Sequence, residues 1–282
     1  MTVKNRWLSF GIVFLVYLSA TILGYYLYKE LPYGFELNLL IADVAMTAYV
    51  FIFSLIFKNA SVYDPYWSVQ PIIILAFFAT GTSVTPLGWL LIIAVGLWAI
   101  RLTANWAYTF HGLQHQDWRY TMLHEKTGVF YPIINFVGIH LVPTLVVYGC
   151  TLPAVYALVY SAESNVLSVI CVGLSCLAFT VQGIADIQMH KFKKQKKSGF
   201  IRTGLWKHSR HPNYLGEILM WWGVALASCC AMPDRWYLIA GAVANTILFF
   251  SVSIPMADGK MSKREGFQEY KSHTRMLLPI KR

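Results

Sequence analysis

The sequence is poor in charged residues, and this shortage is the first guide to its class. Only 13% of its 282 residues are Asp, Glu, Lys or Arg, whereas 57% are hydrophobic and the mean hydropathy is +0.51. A soluble domain carries about 25% charged residues. Half that share, together with 10 Trp and 17 Tyr, indicates a membrane protein in which lipid replaces water as the main solvent.

Disulfide motifs are also missing, and the spaced histidine pairs His111/His115 and His208/His211 do not make up a metal site. The eight histidines include no adjacent His-His pair, and Arg210 directly before His211 would repel a cation, so we expect no metal site. No small-residue cleavage site follows the first apolar run, which we therefore expect to be a retained span. The five cysteines form no CxxC pair, which favours buried thiols over a disulfide framework or a zinc site; they are Cys150, Cys171, Cys176, Cys229 and Cys230.

Apolar runs long enough for membrane helices recur along the whole chain. A span needs about 20 apolar residues, and the third run is shorter than that. We therefore predict an all-α transmembrane helix bundle of seven or eight spans, which forms a single integral-membrane domain over residues 1–282. The runs lie at 7–28, 37–57, 68–82, 87–107, 131–160, 165–189, 214–231 and 236–257.

Basic residues are distributed unevenly between these runs, as expected if cytoplasmic loops keep Lys and Arg. They concentrate near 108–130, 190–213 and 258–282, and the run KFKKQKK lies in the second of these loops. The asymmetry fits eight spans with both termini in the cytoplasm, and we expect a bacterial inner-membrane location. The net charge of +10 is explained either by attraction to anionic lipid headgroups or by basic groups around an anionic cofactor. We expect no nucleic-acid partner, because no soluble module carries an aromatic and basic platform.

Ionisable residues inside the spans are costly, so each is a candidate for function. Asp186 and Glu217 face the same cytoplasmic end and bracket the basic loop. They could form a structural ion-pair network, or they could accept hydrogen bonds from the ribose or amide of a cofactor, which we favour. The other candidates are Asp43, Arg101 and His140, with Asp64 and Asp117 at the interface.

The segment SRHPNYLGE stands at the beginning of the seventh run. Pro212 suits the first turn of a helix, where its missing N–H is no loss, and the free amides that follow favour an anion. Arg210 and His211 add donors at the same point. Asn213 can donate and accept at once, as a carboxamide such as nicotinamide requires, and Glu217 lies on the same helix face. The segment predicts a site for phosphates and an amide; the alternative is a positively charged helix start at the membrane interface.

GLWKHSRHPNYLGEILMWWGVAL, at 204–226, closely resembles the C-terminal signature of the membrane steroid 5-alpha-reductase-like proteins, in particular their bacterial branch, long described as a domain of unknown function. RHPxYxG alone also occurs in isoprenylcysteine carboxyl methyltransferases, and Asn213 and Glu217 favour the reductases. Asp258 stands where the family more usually has Glu. The resemblance extends over most of the chain through ADIQMHKFK, SIPMAD and GFQEYKSHTRMLLP, and upstream through VYDPYW, WAIRL and QDWRY.

The resemblance implies an oxidoreductase that uses NADPH, bound on the cytoplasmic side, to reduce an activated C=C bond. Its substrate would be a lipophilic molecule, such as a 3-oxo-4-ene steroid or a similar enone. Membrane lipids would surround the protein. The lipid itself and the oligomeric state stay open. Carried over residue by residue, the resemblance implies cofactor contacts from Asp186, Lys193, Arg210, His211, Asn213, Tyr214 and Glu217, with Arg119, Arg264 and Tyr270 from neighbouring loops.

The same resemblance implies where the substrate would be activated. Hydride transfer to an enone needs a donor that stabilises the enolate oxyanion. Asp64 lies where the family's substrate-side acid falls, with Trp67 beside it, and burial can keep such a carboxyl protonated. Trp98 stands where animal steroid reductases use a tyrosine, so Tyr120 or Tyr63 would replace that donor. We predict Asp64 and Tyr120 as catalytic residues and Trp67 and Trp98 as substrate-binding residues.

Two other classes compete with the reductase as explanations of these residues. A membrane methyltransferase of the isoprenylcysteine type would bind S-adenosylmethionine through the same helix start. That cofactor carries a sulfonium and no phosphate, so the lysine-rich loop suits it less well. A non-enzymatic membrane scaffold would have no reason to hold Asp186 and Glu217 in lipid.

Overall fold

A computed structural model describes residues 3–195 and 199–279 of the chain. This described part is helical and contains no β-strand, which confirms the predicted all-α class. An isolated bridge pairs Ser209 with Arg275. Lys196 and Lys197 of the predicted basic loop lie outside the described residues.

Twelve α-helices follow one another in the described residues, and several are extended by 3-10 or π-helical turns. The 3-10 segments are Ala60–Val62, Gly128–Phe130, Gly204–Lys207 and Pro233–Ile239, and the π-helical segments are Asn135–Leu141 and Phe249–Ser253. The helices are α1 (Arg6–Glu30), α2 (Phe35–Phe57), α3 (Tyr66–Thr80), α4 (Pro86–Thr109), α5 (Trp118–Thr127), α6 (Tyr131–Ile134), α7 (Val142–Val159), α8 (Val166–Lys194), α9 (Pro212–Ala231), α10 (Ala240–Leu248), α11 (Ile254–Met261) and α12 (Phe267–His273).

Seven helical stretches in the described residues are long and apolar enough to cross a membrane, in agreement with the predicted seven or eight spans. The short third run forms α3, whose 15 residues measure about 22 Å, less than the roughly 30 Å of a hydrocarbon core. The cytoplasmic location of the termini stays a prediction. The seven stretches are Arg6–Glu30, Phe35–Phe57, Pro86–Thr109, Trp118–Val159, Val166–Lys194, Pro212–Ala231 and Pro233–Met261.

The chain divides into two compact units, of which unit 1 comprises residues 1–74 and 99–152. Its α1 and α2 pack against each other, and Gly24 lies so close to Met46 that a Cβ atom would overlap that side chain. Asn5 caps α1 by accepting hydrogen bonds from the amides of the first turn. The Tyr17 hydroxyl donates to the carbonyl of Val62 at 2.7 Å, which ties α1 to the turn that precedes α3.

Unit 2 comprises residues 75–98 and 153–282, and its central feature is the antiparallel pair α8 and α9. A Cβ atom on Gly216 would lie 2.6 Å from the carbonyl oxygen of Ala178, and one on Gly223 would lie 2.8 Å from that of Cys171. Glycine at both positions therefore lets the two backbones approach closely, as small residues do between membrane helices. The Ser175 hydroxyl donates across this contact to the carbonyl of Met220 at 2.9 Å.

Two of the predicted cofactor loops contain helices of their own. The loop near 108–130 forms α5, and the loop near 258–282 holds the end of α11 and all of α12. That the two compact units act as the single predicted domain stays a prediction.

Candidate functional site

Helix α9 of unit 2 begins at the segment that was predicted to bind the cofactor. Pro212 is its first residue, and His211 before it has φ −138° and ψ 60°, so the chain turns into the helix at His211. The first amides of a helix have no partner inside that helix, and proline at this position removes none that is needed. Donors and the positive end of the helix dipole therefore follow directly on Arg210 and His211.

The Arg210 side chain is buried and held by two partners. Its Nη1 donates to the carbonyl of Thr274 at 2.7 Å, and its Nη2 pairs with Asp258 at 3.0 Å. Its Nε is buried and has no hydrogen-bond partner among the described residues. Because a guanidinium carries its donors in a rigid plane, this arrangement fixes the direction of an N–H that is left for an acceptor.

Asp258 joins Arg210 to its neighbour His211. Its Oδ1 accepts from Nε2 of His211 at 2.9 Å, while Oδ2 faces Arg210 and lies 3.8 Å from Nζ of Lys271. The imidazole of His211 stacks on the ring of Tyr214, with centroids 5.2 Å apart and an interplanar angle of 4°. One carboxylate thus orients two side chains of the motif.

An open cleft of about 420 Å³ adjoins this cluster. Three of its lining residues are cations, and Asp258 is the acid that pairs with two of them, Arg210 and Lys271. Their charge makes the cleft suited to an anion such as a phosphate. It is lined by Arg210, Gln268, Lys271, Ser272, Arg275 and Met276.

Glu217 is buried one turn inside α9 and is surrounded by N–H donors. Its Oε2 accepts from Nε1 of Trp98 at 2.9 Å and from Nε2 of Gln182 at 2.6 Å. Its Oε1 accepts from Nε1 of Trp221 at 3.0 Å. A buried carboxylate is tolerated only when it is well hydrogen-bonded, so these three donors, from α4, α8 and α9, are what hold the acid in place.

Two amide oxygens near this acid have no partner among the described residues. The amide nitrogen of Gln182 faces Glu217, which fixes its Oε1 on the other side, and that atom is buried and unpaired. Oδ1 of Asn213, one turn before Glu217, is also buried and unpaired. Buried polar atoms are nearly always hydrogen-bonded, so each of these oxygens is an open acceptor for an N–H donor such as that of a primary carboxamide.

Asp186 and Lys193, two further predicted cofactor contacts, lie on α8. Asp186 is half-buried one turn after Gln182, and Lys193 is exposed near the end of the helix. Unit 2 therefore brings Asp186 near the Glu217 cluster along one helix, whereas Lys193 lies two turns further on.

Arg264 and Tyr270 lie in the C-terminal part of unit 2. The Arg264 side chain donates to the carbonyl of Gly199 at 2.7 Å. The Tyr270 hydroxyl is buried and donates to the carbonyl of Trp206, and burial raises the pKa of Tyr270 to about 12. Tyr270 thus holds the C-terminal segment against the turn before α9, while Arg264 lines a second open cleft, of about 440 Å³, with Gly199, Arg202, Glu265 and Gly266.

In unit 1 the two predicted catalytic residues are hydrogen-bonded to each other. The Tyr120 hydroxyl donates to Oδ1 of Asp64 at 2.6 Å. Burial raises the pKa of Asp64 to about 6, although the nearby charge of Arg119 and the bond from Tyr120 lower it. Arg119, a predicted cofactor contact, pairs with Asp117 at 2.8 Å. Asp64 is therefore a carboxyl whose pKa lies well above that of an exposed aspartate.

The side chains next to this pair make contacts with other residues. Tyr63, the alternative donor, bonds through its hydroxyl to Thr144 at 2.7 Å, and its ring stacks on Tyr66 at 5.2 Å. Trp67 is half-buried and packs against the hydrophobic core of unit 1. Of the tyrosines considered from the sequence, Tyr120 is the one bonded to the acid.

Trp98, predicted to bind substrate, lies in unit 2 and is fully buried. Its indole donates to Glu217, and its ring meets that of Trp221 at 4.8 Å with an angle of 68°. Trp98 thus helps to hold the carboxylate of Glu217 in place. A contact between Trp98 and the substrate stays a prediction.

Sequence reasoning missed three residues of these clusters. Trp221 lies four residues after Glu217, a spacing that brings side chains together on a helix and would have suggested it. Asp258 was noted in SIPMAD without a role. Gln182 gave no signal, because its contact with Glu217 joins residues 35 positions apart on two packed helices.

The apolar helices define an integral, multi-pass membrane protein. Within that class, the family described as "Protein of unknown function (DUF1295)" matches residues 50–274, and the chain belongs to this family. The matched region contains both the Asp64–Tyr120 pair and the cluster at α9.

The chain is also similar to a curated fungal protein, the "Uncharacterized protein C594.04c" of Schizosaccharomyces pombe (strain 972 / ATCC 24843). The two are 25% identical over 215 residues, which cover 65% of this chain and 62% of the fungal protein. The chain therefore spans less than two thirds of the length of this relative.

Proposed function

We propose that the protein is an NADPH-dependent reductase of an activated C=C bond in a lipophilic molecule, of the steroid 5-alpha-reductase type. The observation that carries the proposal is the beginning of α9. There Arg210, whose buried Nε is unpaired, lines a cationic cleft, and the unpaired amide oxygens of Asn213 and Gln182 follow. A nicotinamide dinucleotide has the matching groups, which are phosphates and a carboxamide.

The phosphates would be held by Arg210 and the first amides of α9. Asp258 neutralises part of the charge of Arg210 and also keeps its guanidinium group in one orientation. Lys271 and Arg275 add two cations to the same cleft. Since charge-assisted bonds to phosphate are stronger than neutral ones, these groups would supply much of the binding energy.

The carboxamide would donate its two N–H groups to Asn213 and Gln182. Glu217 supports this arrangement, because its bond to the amide nitrogen of Gln182 turns Oε1 of that residue outward. Trp98 and Trp221 in turn fix Glu217. Bound NADPH would supply a hydride, and the task of this cluster would be to orient it.

The Tyr120–Asp64 pair is the proposed donor to the substrate carbonyl. When Asp64 is ionised, the Tyr120 hydroxyl donates its hydrogen bond to the carboxylate at 2.6 Å and is not available to the substrate. When Asp64 is protonated, its own O–H can donate to the Tyr120 oxygen, which frees the phenol O–H for the substrate. Such a donor would stabilise the enolate oxyanion. This step would therefore be fastest below the raised pKa of Asp64, which is about 6.

Deuterium transfer tests the proposal. The purified protein in mild detergent would be given NADPH carrying deuterium at the transferable position, together with a panel of lipophilic enones that includes a 3-oxo-4-ene steroid. We expect a reduced product that contains one deuterium, and a much lower rate for Tyr120→Phe. Tyr108→Phe, which changes an exposed tyrosine of α4, is the matched control and should keep the wild-type rate. Transfer of a methyl group from S-adenosylmethionine, without any reduction, would contradict the proposal.

A further inference from the structure

A buried histidine of unit 1 has one ring nitrogen without a partner. His140 is fully buried in the π-helical segment Asn135–Leu141, which is part of the span Trp118–Val159. Its Nε2 is buried and has no hydrogen-bond partner among the described residues. Buried polar atoms are nearly always hydrogen-bonded, and π-helical turns often occur at functional sites. This nitrogen therefore marks a candidate binding site.

The other ring nitrogen of His140 shows which kind of partner is needed. Nδ1 lies 2.9 Å from the carbonyl oxygen of Asn135, five residues earlier, where a π-helical turn brings the chain back to the same side. A carbonyl oxygen can only accept, so Nδ1 carries the proton. Because a charge inside a span is costly, the ring is neutral, and Nε2 is therefore an open acceptor.

Asn135 adds a second open acceptor to the same segment. The Ser54 hydroxyl donates to the carbonyl of Phe51 at 2.8 Å, so its oxygen is left to accept, and Nδ2 of Asn135 donates to it at 3.1 Å. This bond turns Oδ1 of Asn135 away from Ser54, and Oδ1 is buried without a partner in the described part of the chain. Residues 135–141, all of which the structure describes, thus offer two side-chain acceptors and no unpaired side-chain donor.

The side chains around His140 do not supply the missing donor. The imidazole lies against the rings of Tyr63 and Phe51, with centroids 4.5 and 5.4 Å away. The Tyr63 hydroxyl is bonded to Thr144 at 2.7 Å, and the Thr144 hydroxyl is bonded in turn to Thr47 at 2.8 Å. Phe51 has no polar side-chain atom. The donor to Nε2 therefore has to come from a bound molecule.

The open acceptor and its surroundings define the class of that molecule. Ketones, ethers and phosphate diesters offer only acceptors and would leave Nε2 unsatisfied. A cation inside a span is costly, and an amide would bury a carbonyl that finds no open donor in this segment. A neutral hydroxyl remains. The segment also borders lipid, since Val137 is 42% exposed, so the hydroxyl would belong to a molecule with an apolar body.

We propose that unit 1 binds a lipophilic alcohol whose hydroxyl donates a hydrogen bond to Nε2 of His140. The apolar body of the alcohol would lie against the rings of Phe51 and Tyr63. Binding of this kind needs neither a C=C bond nor a nucleotide, so it goes beyond the proposed reduction and is measured without NADPH.

Methyl ethers test the role of the hydroxyl, because they keep the oxygen and the apolar body but lack the O–H donor. The full-length protein in mild detergent would be titrated with tritiated farnesol and with tritiated cholesterol, each in competition with the unlabelled alcohol or its methyl ether. We expect saturable binding of at least one alcohol, and its ether should compete about tenfold more weakly, which is the value of one hydrogen bond. Absence of saturable binding for both alcohols, or equal competition by alcohol and ether, would overturn the proposal; neither result needs a variant.

Two histidine variants assign the preference to one residue. His140→Phe removes the acceptor and keeps an aromatic ring, so the alcohol and its ether should then compete within about twofold of each other. His124→Phe, which changes an exposed histidine of α5, is the matched control and should keep the tenfold preference of wild type. A preference that survives His140→Phe, or one that His124→Phe removes, would place the donor's partner elsewhere and contradict the proposal.

Discussion

Glu217→Ala should strongly destabilise unit 2, because it leaves three buried donors without an acceptor. Trp98, Gln182 and Trp221 each donate to this carboxylate, at 2.9, 2.6 and 3.0 Å. An unsatisfied buried polar group costs about 1–3 kcal/mol, although hydrogen bonds inside membrane proteins average only about 0.6 kcal/mol. Taking the lower end of these costs for each of the three donors gives an expected loss of about 2–3 kcal/mol in the free energy of unfolding.

Trp98→Phe provides the comparison, since it removes one donor and keeps an aromatic side chain. It should cost about 1–2 kcal/mol, for one hydrogen bond and a smaller buried side chain. Glu217→Ala should cost less in the Trp98→Phe background than in wild type, because one orphaned donor is already gone. The free energies would be measured by titrating the folded protein with sodium dodecyl sulfate in mixed micelles. A Glu217→Ala protein that unfolds within about 0.5 kcal/mol of wild type, with no coupling to Trp98, would refute this account of the acid.

The remaining predictions concern binding, pH and helix packing. In a fluorescence titration, Asn213→Ala should weaken NADPH binding about tenfold, which is the value of one hydrogen bond. Asn245→Ala also removes a buried amide with an unpaired atom and should leave NADPH binding unchanged. Because burial raises the pKa of Asp64 to about 6, the carboxyl holds its proton below that pH and loses it above. The initial rate of enone reduction should therefore fall as pH rises through 6. A pH profile that Asp64→Asn leaves unchanged would contradict this. Gly223→Ala should lower the thermal midpoint, since a Cβ there would overlap Ser175, while Gly173→Ala, which meets nothing within 4 Å, should leave it unchanged or raise it slightly.

The helical class and most spans could be predicted because they depend on local composition. The run 68–82 is an example: its shortness predicted a partial span, and it forms the 15-residue helix α3. The run 131–160 carried no sign that its helix would continue through a π-helical segment at Asn135–Leu141. Such a segment changes the hydrogen-bond pattern of the backbone without changing the apolar character of the sequence.

The two sites were predictable to different degrees. The resemblance placed Asp64 and Tyr120 in the same role, but their hydrogen bond joins residues 56 positions apart and follows only from the fold. The motif at α9 predicted Asn213 and Glu217 on one helix face. It could not predict that Glu217 would be held by Trp98, 119 positions away, because that contact depends on how α4 packs in unit 2.

The nucleotide that the protein retains tests the central claim most directly. The protein would be purified in mild detergent and denatured, and any released small molecule would be identified by mass spectrometry. We expect NADP or NADPH from wild type and from Asn245→Ala, and less of it, by up to about tenfold, from Asn213→Ala. Release of S-adenosylmethionine or its demethylated product would contradict the account, because the segment SRHPNYLGE would then bind a nucleoside without a phosphate.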